Sequence, residues 1–159
     1  LTQAEGEGEI VVRFAPSEPM GVGLCALDEE GRGAEVHAVE GEAAMLRALD
    51  EGWRKAEGLK KVTTEARDLF RNPLLPQELE RYDALVLDPP RAGAEAQVRQ
   101  IAESKVPVLG FVSCNPVTFA RDAAVLRAGG YLLDWVQVVD QFRWSSHIEL
   151  AARFSRAHI

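Results

Sequence analysis

The sequence predicts an α/β fold: a doubly wound, mostly parallel sheet with a final antiparallel strand. Three observations carry this. Short apolar, β-favouring runs alternate with helical stretches along most of the chain. Two of these runs stop abruptly at polar turns, Asp88-Pro89-Pro90-Arg91 and Cys114-Asn115-Pro116. The connection Asp140 to Ser146 between the last two runs is too short for a crossover helix, so those strands run antiparallel.

A length of 159 residues suits one core, and 47% hydrophobic with 27% charged residues is ordinary for a globular protein. No apolar stretch approaches the ~20 residues that cross a bilayer, and Leu1-Thr2-Gln3-Ala4-Glu5 has no basic leader, so the expected location is cytoplasmic. Cys25 and Cys114 are the only cysteines, too few for a disulfide scaffold or a thiolate zinc site. The net charge of -7 argues against broad, non-specific clamping of nucleic acid and leaves room for a local basic pocket that holds phosphates.

In chain order, residues 1–33 show the least pattern. Ile10 to Phe14 reads as a strand broken by Pro16 and Pro19, Gly21-Val22-Gly23 is either a plain turn or a cofactor loop, and Leu24 to Glu30 allows a short helix. From 34 to 159 the pattern sharpens into one domain. Glu35 to Gly41 is a strand ending at Glu40, followed by a helix from Glu42 to Trp53. A carboxylate at such a strand end accepts bonds from ribose hydroxyls, or is simply a solvated turn acid. Lys61 to Glu65 is the next strand, with Asp68 crossing its carboxyl end as a candidate adenine contact, and Asn72 to Pro76 is a loop.

Tyr82 to Leu87 forms an apolar strand whose ladder is ended by Pro89 and Pro90, which places Asp88 at the sheet edge. A helix over Glu95 to Glu103 returns to the strand Val106 to Val112, and a second helix runs from Thr118 to Arg127 up to Gly129-Gly130. Tyr131 to Val139 and His147 to Phe154 are the last two strands.

Ligands of doubly wound sheets sit beyond the carboxyl ends of the parallel strands, where Asp88 and Cys114 both lie. A lone cysteine more often packs as a small hydrophobe. The reversed last strand, however, begins at that same edge, so His147 and Glu149 join Asp88 and Cys114. A thiol with two acids suits covalent catalysis followed by proton abstraction. His147-x-Glu149 without a following Pro-Cys-x-x-Cys segment argues against zinc, so no metal is expected.

Asp88-Pro89-Pro90-Arg91, Ser113-Cys114-Asn115-Pro116 and His147-Ile148-Glu149 resemble, in order and spacing, the fourth, nucleophile and terminal base motifs of the RNA uracil-5-methyltransferases. The likeness runs from about Ala34 to Arg156. It implies a Rossmann-like class I S-adenosylmethionine-dependent methyltransferase sheet and methylation of uridine C5 in ribosomal or transfer RNA. Cys114 would attack uracil C6 and Glu149 would remove the C5 proton. Cofactor contacts would fall to Glu40, Asp68, Asp88, Gly21 and Gly23. Asp88, Arg91, Phe142, Arg143 and Trp144 would hold the substrate, the aromatic pair by stacking a base drawn from its stack or simply by packing on the sheet edge.

The chain departs from the pattern at Ser17-Glu18-Pro19-Met20-Gly21-Val22-Gly23, where the family has an acid and a Cys- and Gly-rich turn, and the amino-terminal RNA-binding region that the family often carries is not among these 159 residues. Two other functions are compatible with the residues alone. One is a non-catalytic methyltransferase-like domain that binds RNA or a protein partner. The other is a Cys114-His147 hydrolase, which lacks an oxyanion-hole motif and an orienting third residue.

Overall fold

The computed structural model describes residues 35–57, 59–140 and 147–156, together with the backbone of Val11–Val12 and Ala26–Leu27. The chain divides into two compact units, Leu1–Asp68 and Leu69–Ile159.

In the first unit, β1 (Val11–Val12) pairs antiparallel with β2 (Ala26–Leu27). A strand therefore stands where the sequence allowed a helix from Leu24 to Glu30. Pairing with Val11–Val12 outweighs a weak local preference there. β3 (Val36–Glu40) lies parallel to β4 (Val62–Ala66), with Val36 opposite Val62 and Glu40 opposite Ala66. Between them runs α1 (Ala43–Lys55), which buries Leu46.

The second unit opens with a short helix, α2 (Pro76–Leu79), in place of the tail of the expected loop. Pro76 occupies the first helical position, where a missing N–H costs nothing, and the Glu78 carboxylate accepts from Leu75 N at 2.8 Å. β5 (Ala84–Leu87), α3 (Glu95–Glu103), β6 (Val108–Ser113), α4 (Pro116–Ala128), β7 (Tyr131–Val139) and β8 (Glu149–Arg156) follow. The strand order is β5-β6-β8-β7. β6 is parallel to β5, and β8 runs antiparallel to both β6 and β7. The chain's last strand is thus inserted into the sheet rather than added at its edge.

One face of this sheet carries the core. Leu109 and Phe111 of β6 and Leu150, Ala152 and Phe154 of β8 are buried together with Val98 and Ile101 of α3 and Phe119, Ala123 and Leu126 of α4. Phe119 meets Phe111 edge-on with ring centroids 5.3 Å apart and Phe154 at 6.3 Å, the spacing that aromatic quadrupoles favour. Tyr131 is buried yet satisfied, since its hydroxyl donates to Val106 O at 2.7 Å. Gly129 allows α4 to close on α3, because a Cβ there would lie 2.6 Å from that of Ala102.

Candidate active site

The site is assembled in the second unit where β5, β6 and β8 meet. Pairing of Leu87 with Phe111 and of Ser113 with Leu150 aligns the three strand ends. Strand alternation then decides the side. Leu87, Phe111, Ala152 and Leu150 belong to paired rows ending on the core face, with Ser113 beside Leu150. Asp88 and Cys114 follow the ends of β5 and β6, and Glu149, before Leu150, starts β8 on the face opposite that core row. Asp88, Cys114 and Glu149 thus come to one edge of the sheet.

Two turns hold them. After Asp88, the chain folds back with Gly93 N donating to Pro90 O at 2.8 Å. After Cys114, Asn115 caps α4: its side-chain oxygen accepts from Val117 N at 3.1 Å, and Pro116 starts the helix. The Ser113 hydroxyl spans this junction, 3.2 Å from both Asn115 N and Asn115 O. The turns are also tied to each other, because Asn115 Nδ2 donates to Arg91 O at 2.9 Å and the Thr118 hydroxyl donates to the same oxygen at 3.2 Å. Cys114 sits half-buried between them.

Arg91 closes the site toward β8: its Nη1 lies 3.1 Å from His147 Nδ1. His147 precedes the strand, which begins at Glu149 rather than at His147 as the sequence suggested.

The two acids are tuned alike. Loss of water at the strand ends raises the Asp88 pKa above its ordinary 3.8, although the residue reaches the surface. Glu149 is raised above 4.5, first by loss of water and then by the charge of Asp88, while His147 and Arg91 pull it down. A carboxylate raised in this way is a better proton acceptor than a free one.

Glu40 and Asp68 lie in the first unit, at the carboxyl edge of its parallel pair. Glu40 ends β3, and its Oε1 accepts from Glu42 N at 3.0 Å while its carbonyl accepts from Arg67 N at 3.0 Å. Asp68 follows β4 by two residues. Hydroxyls of a ribose and an exocyclic amine of adenine both need acceptors, so this acidic pair fits a nucleoside cofactor. Gly21, Gly23, Phe142, Arg143 and Trp144 lie outside the described residues. Sequence reasoning missed the ties from Asn115 and Thr118 to Arg91, and it gave no part to Asp122. The spacing of Asn115 and Thr118, both early in α4, was the available signal for the first two.

No group of three or more His, Cys, Asp or Glu among the described residues is placed to hold a metal ion, and no described helix is long and apolar enough to cross a membrane.

Comparison with known proteins follows the same motifs. A family model described as tRNA (uracil-5-)-methyltransferase matches residues 52–157. An uncharacterized RNA methyltransferase of Mesorhizobium japonicum is 61% identical over 119 residues, covering 75% of this chain and 29% of that protein. The 23S rRNA (uracil(1939)-C(5))-methyltransferase of Halomonas elongata is 41% identical over 131 residues, 81% of this chain and 27% of its own length. The chain thus spans about a third of the length of these curated relatives. Among solved structures, the Pyrococcus abyssi tRNA (uracil-54, C5)-methyltransferase in complex with S-adenosyl-L-homocysteine superposes with a TM-score of 0.64 at 27% identity, over 77% of this chain and 29% of that one. Magnesium protoporphyrin IX methyltransferase from Synechocystis superposes at 0.56 with 14% identity, a likeness of fold. The expected class I methyltransferase sheet, mostly parallel with an antiparallel strand, is the architecture present.

Proposed function

The chain belongs to the tRNA (uracil-5-)-methyltransferase family, and from that premise we propose that it is the catalytic part of a cytoplasmic enzyme that methylates C5 of a uridine in ribosomal or transfer RNA. The observation that supports the chemistry best is the meeting of Asp88, Arg91, Cys114 and Glu149 at one sheet edge.

Uracil C5 is a poor nucleophile until C6 is attacked. The Cys114 thiolate adds to C6, forming a C–S bond and moving the C5–C6 π electrons toward O4 as an enolate. S-adenosylmethionine, when bound, supplies an electrophilic methyl group on a sulfonium centre for C5. Glu40 would hold its ribose and Asp68 its adenine, with Asp88, Gly21 and Gly23 as further contacts. Glu149 then takes the C5 proton; the C–H electrons restore the C5–C6 double bond, and the C6–S electrons leave with the Cys114 thiolate. Arg91 offers the forked donors that fit an RNA phosphate, Asp88 accepts from the base, and Phe142, Arg143 and Trp144 stack or grip the extruded nucleotide.

The test is transfer of labelled methyl from S-adenosylmethionine to uridine-containing RNA, with digestion to nucleosides and identification of the product. Label in 5-methyluridine is expected. Label in any other nucleoside, or none from a chain that binds both reactants, would overturn the reading.

A further inference from the structure

The first two turns of α4, with its cap Asn115, grip the loop that follows Arg91. Asn115 and Thr118 hold Arg91 O, Arg121 Nη2 donates to Ala92 O at 3.1 Å, and Asp122 Oδ2 accepts from Ala94 N at 2.7 Å. Asp122 is 0% exposed, and its other oxygen accepts from Arg121 Nε at 2.9 Å. A carboxylate shut away from water persists only where such bonds satisfy it, so these contacts define its place tightly. Between them Gly93 adopts φ 81°, and a Cβ there would lie 2.5 Å from Arg121 Nη2 and 2.6 Å from Asp122 Oδ2. The loop has no room to shift toward the helix and is tied against shifting away.

Resting on the uridine-methylation reading, we propose that Asp122 is a positioning residue: through the Gly93 turn it fixes the Arg91 guanidinium against His147 at the approach to Glu149. The groups that face Glu149 are Asp88, His147 and Arg91, and only the last two offset its loss of water and the charge of Asp88. An Arg91 that drifts weakens that offset and leaves the phosphate-binding fork misplaced. Asp122 touches neither reactant and acts on the reaction only through this chain of contacts.

The experiment compares Asp122→Asn, Arg91→Gln and the double variant in the 159-residue chain, by thermal melting, by the imidazole ¹⁵N resonance of His147 Nδ1, and by methyl transfer. Asp122→Asn should remain folded, move the His147 Nδ1 resonance in the same direction as Arg91→Gln, and lose on the order of 100-fold in kcat/KM, the cost of a misplaced binding group. The double variant should be no slower than Arg91→Gln alone. An unmoved His147 resonance in folded Asp122→Asn, or losses that multiply in the double variant, would overturn the proposal. Should Asp122→Asn fail to fold, Thr118→Val removes one bond to Arg91 O and Gly93→Ala presses the turn from inside; the same resonance must move in both, and its constancy in either sinks the assignment. The resonance needs neither RNA nor cofactor, so a wild-type chain that transfers no methyl would refute the proposed reaction and leave Asp122's hold on Arg91 decided separately.

Discussion

Cys114 and Glu149 are the first residues beyond the same rung of an antiparallel ladder, the pair Ser113 with Leu150. One strand ends where the other starts. The proposed nucleophile and proton acceptor would thereby be placed by backbone hydrogen bonds of the ladder, which is the kind of support a two-step covalent reaction needs.

Wild type should form a denaturation-stable adduct with RNA containing 5-fluorouridine, in which fluorine blocks the elimination step, and replacing Cys114 with Ala should abolish both that adduct and methyl transfer. Adduct formation by the Ala variant, seen as a shifted band in denaturing electrophoresis, would remove Cys114 from the mechanism.

Glu149→Gln keeps nearly the same volume and loses the proton acceptor. Addition and methylation should proceed while elimination stalls, so a covalent complex carrying label from methyl-labelled cofactor should accumulate with unsubstituted RNA. Wild-type turnover by this variant would pass the role to another base, His147 being first in line because it lies two residues earlier on the chain.

The acid limb of the wild-type pH profile should lie above the ordinary 4.5 of a glutamate, since Glu149 is held up by loss of water and by Asp88. For stability the sign is opposite to that of an ion-paired acid. Protonated Asp88 suits the fold, so its contribution is fully present below 3.8 and is lost as pH rises through its raised folded value. Asp88→Asn should therefore melt higher than wild type at pH 7, with the gain vanishing in acid, even as activity falls. A lower melting temperature at pH 7 would contradict the sign.

Calorimetric titration with S-adenosylmethionine should show weaker binding for Glu40→Ala than for wild type. Equal affinity would end the ribose assignment. For the core, Phe111→Ala should cost about 3–5 kcal/mol in denaturant unfolding, the usual penalty for emptying an aromatic site, because Phe111 is 1% exposed and packs against Phe119.

Most of the second unit was legible because its signals are local. Apolar runs ending at Asp88 and Cys114, the helix over Glu95–Glu103 and the short link before His147 each declare themselves within a few residues. The insertion of β8 between β6 and β7 was not legible, since a strand's neighbour depends on distant pairing. Nor was Asp122: an acid on a helix reads as a solvated residue, and only the loop at Ala94 makes it a buried one. The strand at Ala26–Leu27 hid for a related reason, its partner lying well upstream at Val11–Val12.

The inserted position of β8 also governs how the protein comes into being. Synthesis delivers Cys114 well before Glu149, and until β8 arrives both β6 and β7 present unpaired edges that invite pairing with other chains. The step that seals those edges is the one that brings Glu149 to the end of β6 beside Cys114. A nascent or truncated chain would therefore carry Cys114 without Glu149 while its sheet is still open, and on the proposed mechanism the ability to release RNA would arrive in the same event that closes the exposed edges.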